Sequence, residues 1–210
     1  MRTLFFAVDL QNDFLLPTGA LYVPGSDKII PNLEKIMQMA DQNDIPVVYT
    51  MDFHTKNSKE ISDTPDFKTT FPKHCIAFET GANLISQIDP HKFSGGCKGI
   101  LYSGEKIHPS IKWVIKNRQI LIFKDALDVF EGNRHTKEIV GGINPDVVFI
   151  FGVAGDYCVD YAVSGLVKLG YKAVIIYDAI KSIKEPPYEK WLNLGVTLMP
   201  TTMLDQFMRI

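Results

Sequence analysis

No apolar run in the 210 residues approaches the roughly 20 that a helix needs to cross a bilayer, so a helical membrane span is excluded. Cysteine is scarce: the three present are an odd number at wide spacing and make no disulfide framework. Reduced thiols and a cytoplasmic setting are therefore expected. A formal net charge of −2 leaves no reason to expect nucleic acid or an anionic membrane as a partner. Internal repeats, low-complexity tracts and linkers long enough to separate domains are also lacking. The apolar N-terminal stretch is broken early by Asp9 and Asp13, with no small-residue cleavage site after it. It reads as a first strand rather than a secretory leader.

What is present is ordinary in amount, at 46% hydrophobic and 22% charged residues, and informative in its order. Residues 4–8, 46–51, 119–123, 147–151 and 173–177 are β-branched or aromatic-rich runs too short for helices. A sixth short strand is expected at 195–198. Between them, 27–43 has helical period, with Ile29, Ile30, Leu33, Ile36 and Met37 on one face. Further helices are expected at 133–142, 157–170 and 202–208, with Gly170 as a C-terminal stop. Alternation of this kind predicts a single α/β domain over 1–210, three-layered α/β/α, around a mostly parallel sheet of about six strands. Residues 91–117 fit least well. Their turn-rich start at Phe93-Ser-Gly-Gly-Cys97 looks like an insertion, with a helix expected at 109–116.

The segment Val147-Val-Phe-Ile-Phe-Gly-Val-Ala-Gly-Asp-Tyr-Cys158 runs a buried strand into a glycine turn and sets a cysteine at the mouth of the next helix. Helix N-termini favour thiolate over thiol, and ligands of α/β sheets bind at the carboxyl ends of the strands. A small core residue at a strand–helix junction accounts for Cys158 equally well. Two more strand ends carry charge. Asp9 follows the first strand, and Lys124 closes Ile122-Phe-Lys-Asp125. A parallel sheet puts all three on one edge, where an acid, a cation and a thiol are the parts of nucleophilic acyl transfer. Spacing alone leaves Asp9 as a cap and Lys124 as an edge residue still open. After the second strand, Asp52-Phe-His54 is followed by Glu60 and His74, a mixed N/O set suited to zinc, iron or manganese. A polar surface loop explains the same residues.

Taken together, these motifs resemble the nicotinamidase (pyrazinamidase) branch of the isochorismatase-like cysteine hydrolases, a Rossmann-like fold. Asp9-Leu-Gln-Asn-Asp-Phe14 resembles the family's opening D-x-Q-x-D-F, and Asp52-x-His54 with Phe71-Pro-Lys-His74-Cys75 resembles its metal motifs. Lys124 matches its lysine, and Gly152-Val-Ala-Gly-Asp-Tyr-Cys158 its nucleophile segment, in which a cis peptide would fall at Val153–Ala154. The resemblance implies Asp9, Lys124 and Cys158 as catalytic residues and the backbone of Ala154 and Cys158 as oxyanion hole. It implies Phe14 and Phe71 as ring contacts, and Asp52, His54, Glu60 and His74 around one divalent ion, zinc first, with iron or manganese as alternatives.

The implied reaction is conversion of nicotinamide to nicotinate and ammonia through a thioester, a step of NAD salvage on a small-molecule amide. Assembly into a homo-oligomer stays open. The chain departs from the family's usual pattern at Phe53 and Phe71, each in place of a tryptophan, and at Glu60 in place of a second histidine. A metal-free amidase of the same superfamily acting on a carbamoyl or other amide is the alternative. A non-catalytic binding protein is the more distant one.

Overall fold

The computed structural model describes residues 1–93, 99–101 and 115–208. Its centre is a seven-stranded sheet in which every pairing is parallel. The strands are β1 (Thr3–Val8), β2 (Val47–Asp52), β3 (Gly99–Leu101), β4 (Gln119–Lys124), β5 (Val147–Gly152), β6 (Lys172–Ile180) and β7 (Thr197–Met199). Their spatial order is β3-β4-β2-β1-β5-β6-β7. The chain leaves central β1 toward one edge and, after β4, restarts on the other side with β5. A crevice at the carboxyl ends of β1 and its neighbours is where such a reversal makes room for a ligand.

The strand expectations hold to within a few residues, with one addition. β3 lies inside the segment read as an insertion and pairs with β4, so the described residues form seven strands where about six were expected. The helix expected at 109–116 falls mostly outside the described residues.

Side chains alternate across the strands and so build two apolar layers. Phe5, Ala7, Val47, Tyr49, Phe149 and Phe151 face helix α2 (Ile30–Gln42; the preceding α1 is Asn12–Leu15) through its Leu33, Ile36, Met37 and Ala40. Leu4, Phe6, Val8, Val48, Ile120, Ile122, Val148 and Ile150 face the opposite way. They meet α4 (Thr136–Ile143), which follows the single turn α3 (Val129–Gly132), and α5 (Cys158–Lys168). Covering on both faces explains why β1, β2 and β5 are almost continuously apolar rather than alternating.

Helix boundaries differ from expectation where side chains intervene. The helix expected from residue 27 starts as a tight 3-10 turn at Ser26–Ile29 and becomes α-helical at Ile30. Pro31 has no N–H to return to the carbonyl of Asp27, but is well suited to a first turn. The helix expected from 133 begins at Thr136, because the Asn133 side chain accepts from the N–H of His135 and donates to the carbonyl of Phe123. The expected last helix divides into a 3-10 turn, Thr201–Met203, and an α-helix, Leu204–Met208. Another, Tyr188–Asn193, buries Trp191 and was not legible in the periodicity.

Candidate active site

Strand register assembles the site. Asp52 stands opposite Lys124 at the ends of β2 and β4, and Val8 lies between Thr50 and Gly152. Asp9, the next residue, turns out of β1 with a left-handed backbone, φ 51°. Gly152 ends β5 at φ 126°, and a Cβ there would lie 2.1 Å from the carbonyl oxygen of Val8. Only glycine permits that approach. The chain then passes through a cis peptide at Val153–Ala154, where the resemblance implied one, and enters α5 at Cys158.

Asp9, Lys124 and Cys158 meet in a buried cluster. The Lys124 Nζ lies 3.0 Å from an Asp9 carboxylate oxygen and 3.6 Å from the Cys158 Sγ, and it also pairs closely with Asp52. Burial works against charge on Lys124, but the carboxylates of Asp52 and Asp9 outweigh it, so the ammonium is held well above its ordinary value. Burial raises the Asp9 carboxyl, which Lys124 only partly offsets.

Cys158 departs from expectation. Burial pushes its thiol well up, more than Lys124 brings it down, so helix placement alone does not make a resting thiolate. The thiol needs a base within reach. Asp9 Oδ1 accepts from the Thr50 hydroxyl at 2.6 Å, while Oδ2 is the oxygen that faces the Lys124 Nζ at 3.0 Å. One carboxylate oxygen is thus held by a neutral hydroxyl and the other lies against the ammonium, in the same buried cluster as the thiol.

The second constellation lies against the first through Asp52. His54 Nε2 and His74 Nε2 are each 3.7 Å from Asp52 Oδ2, and Glu60 Oε2 is 3.8 Å from His54 Nε2. His74 Nδ1 is 2.7 Å from the carbonyl of Pro72, which can only accept, so Nδ1 carries the proton and Nε2 is left to face inward. His54 Nδ1 is fixed in the same way by Asp125, at 2.7 Å. Its Nε2 and Glu60 Oε2 are buried with no hydrogen-bond partner among the described residues. Burial, then Asp52, raises the Glu60 carboxyl. Asp52 would be raised by burial too, but Lys124 and the two histidines outweigh that and hold it well below its ordinary value. Asp52, His54 and His74 offer ligand atoms within 4.8 Å of one another, a set that fits a divalent cation, and Glu60 adjoins it through its 3.8 Å approach to His54.

Both groups open into one pocket, lined by Phe14, Phe71, His74, Leu127, Ala154, Tyr157 and Cys158. Phe71 meets Tyr157 edge-on at 5.5 Å, and Phe14 lies 5.5 Å from the His74 ring. Among the described residues, no backbone carbonyl accepts from the N–H groups of Ala154 and Cys158.

Sequence reading passed over the residues that hold this arrangement. Gln11 clamps Asp52 with its amide, donating to the carbonyl and accepting from the N–H, each at 2.7 Å. Asp13 accepts from the N–H of Cys75 at 2.7 Å. Both stood in the quoted D-x-Q-x-D-F motif without a role. Thr50 and Asp125 had no signal beyond adjacency to a strand end.

An Isochorismatase domain model matches residues 3–97 and 101–201. The nicotinamidase of Saccharomyces cerevisiae is 28% identical over 209 residues, covering 89% of this chain and 91% of that protein. The nicotinamidase of Escherichia coli is 26% identical, covering 87% of this chain and 84% of its own. Among solved structures, the pyrazinamidase of Pyrococcus horikoshii in complex with zinc superposes with a TM-score of 0.71 at 25% identity, over 95% of this chain and 99% of the other. With the family model spanning strands from both sides of the sheet and the fold shared along nearly the whole chain, this protein belongs to the isochorismatase domain family.

Proposed function

We propose that this protein hydrolyses a primary amide, nicotinamide to nicotinate and ammonia, through a thioester on Cys158. The observation that carries the reading is the convergence of Asp9, Lys124 and Cys158 beside the Asp52, His54, Glu60 and His74 donor set. The two curated relatives above bear the name nicotinamidase, which supports the choice of substrate.

Asp9 Oδ2 takes the thiol proton, and Lys124 holds the emerging thiolate and the carboxylate in one field. The sulfur attacks the amide carbonyl. The oxyanion sits against the N–H groups of Ala154 and Cys158, each such donor being worth about 3 kcal/mol in the transition state. Collapse breaks the C–N bond, Asp9 returns its proton to the departing ammonia, and the carboxylate then draws a proton from the water that opens the thioester.

Phe14 and Phe71 supply the apolar walls for the ring. Asp52, His54, Glu60 and His74 would hold a divalent ion, zinc first, which would supply Lewis acidity toward a ring nitrogen. The cavity beside Cys158 measures about 30 Å³, room for roughly one water. A pyridine ring is larger than this space, so binding it requires lining side chains, Leu127 or Ile183 for example, to move.

The test is ammonia release from nicotinamide by the metal-loaded protein. No release from nicotinamide or pyrazinamide, with metal bound and the fold intact, defeats the reading.

A further inference from the structure

We propose that Asp125 is a positioning residue for the metal site, orienting His54 as a ligand; this rests on the reading of Asp52, His54, Glu60 and His74 as that site. β4 ends at Lys124, and Asp125 is the next residue, in the bend just beyond the strand. Lys124 enters the cluster with Asp9 and Cys158, whereas Asp125 places a carboxylate oxygen 2.7 Å from His54 Nδ1. The His54 ring is fully buried, and the side chain of Asp125 is 42% exposed.

The backbone locks the two ends together, since Asp52 is in register with Lys124 and the N–H of Phe53 donates to the Lys124 carbonyl at 2.9 Å. A carboxylate can only accept from the imidazole. The bond therefore keeps the proton on Nδ1, turns Nε2 toward Asp52 and Glu60, and raises the basicity of the nitrogen that binds a cation. His74 receives the same treatment from a backbone carbonyl, so the histidine next to two carboxylates is the one given a charged orienter.

The test measures zinc affinity by competition with a chromophoric chelator for wild type, Asp125→Ala and Asp125→Asn, together with the melting temperature of each metal-free protein. Asp125→Ala is expected to weaken zinc binding about 10–100-fold, with the metal-free melting temperature near that of wild type. Asp125→Asn retains an acceptor for Nδ1–H and is expected to bind closer to wild type than Asp125→Ala. Equal affinity in Asp125→Ala and wild type overturns the proposal. So does equal loss in both variants, which would reduce the carboxylate to its charge, or a loss that only follows a fall in metal-free stability. Wild-type protein that binds no zinc overturns the metal site itself, a result distinct from any of these.

Discussion

Lys124 is the one described cation enclosed by Asp9, Asp52 and Cys158, and its charge decides what each of them can do. Asp52 is kept ionised by it, together with the two histidines, while Asp9 and Cys158 remain raised because burial outweighs it. Under the proposed mechanism, turnover requires an ionised Asp9, whose carboxyl sits above the ordinary aspartate value. As pH falls through that raised value Asp9 takes up a proton and the base is lost, so kcat/KM should fall on an acid limb displaced upward from the ordinary aspartate value. The Thr50 hydroxyl lowers the Asp9 value by hydrogen bonding to the charged form. Thr50→Val should move that limb to higher pH, as read from the pH dependence of kcat/KM. Cys158→Ala should abolish turnover, and Asp9→Asn should lower kcat by about 10²–10⁴-fold with the melting temperature little reduced. Asp9→Asn with wild-type kcat would remove the base from the mechanism.

At the scale of elements, the ends of β1 and β5 are pressed together at the place where the cysteine loop begins. Gly152 permits this, since any Cβ would strike the Val8 carbonyl and the backbone is in the region that L side chains avoid. Gly152→Ala should cost about 2–4 kcal/mol, seen as a lower denaturant midpoint, and should reduce activity beyond that loss by displacing Cys158 from Asp9. A midpoint within about 0.5 kcal/mol of wild type would mean that the strands can move apart at little cost. The elements were largely legible in the sequence, because strands buried on both faces read as short β-branched and aromatic runs. Their boundaries were not. Pro31 and Asn133 shifted two helix starts through single hydrogen-bonding facts that periodicity averages away. β3 is only three residues long, too short for a pattern to register.

Over the whole molecule, the donor set is drawn from residues 52 to 74 and comes together only when β2 and the loop after it are folded against β4. The unfolded chain has no such site, so binding a divalent ion should raise stability. At 1,000 times the dissociation constant the gain is about 4 kcal/mol, measured as a higher melting temperature on adding zinc to metal-free protein. Chelation should also weaken nicotinamide turnover chiefly through KM if the ion fixes the ring. Unchanged kcat and KM in metal-free protein would take the ion out of substrate binding.

The sequence by itself determined the fold class, the three strand ends that bear Asp9, Lys124 and Cys158, and a candidate set of nitrogen and oxygen donors. These depend on local pattern and on short motifs, which a linear chain displays. Only the tertiary structure decided which of those groups touch, that burial raises the Cys158 thiol, and that Gln11, Thr50 and Asp125 bond to Asp52, Asp9 and His54. Register among β1, β2 and β4 brings Asp9 to Thr50, Gln11 to Asp52 and Asp125 to His54, pairs 41 to 71 residues apart in sequence. The energies that tune the site come from desolvation and charge at distances of a few ångströms, which exist only once the sheet has formed.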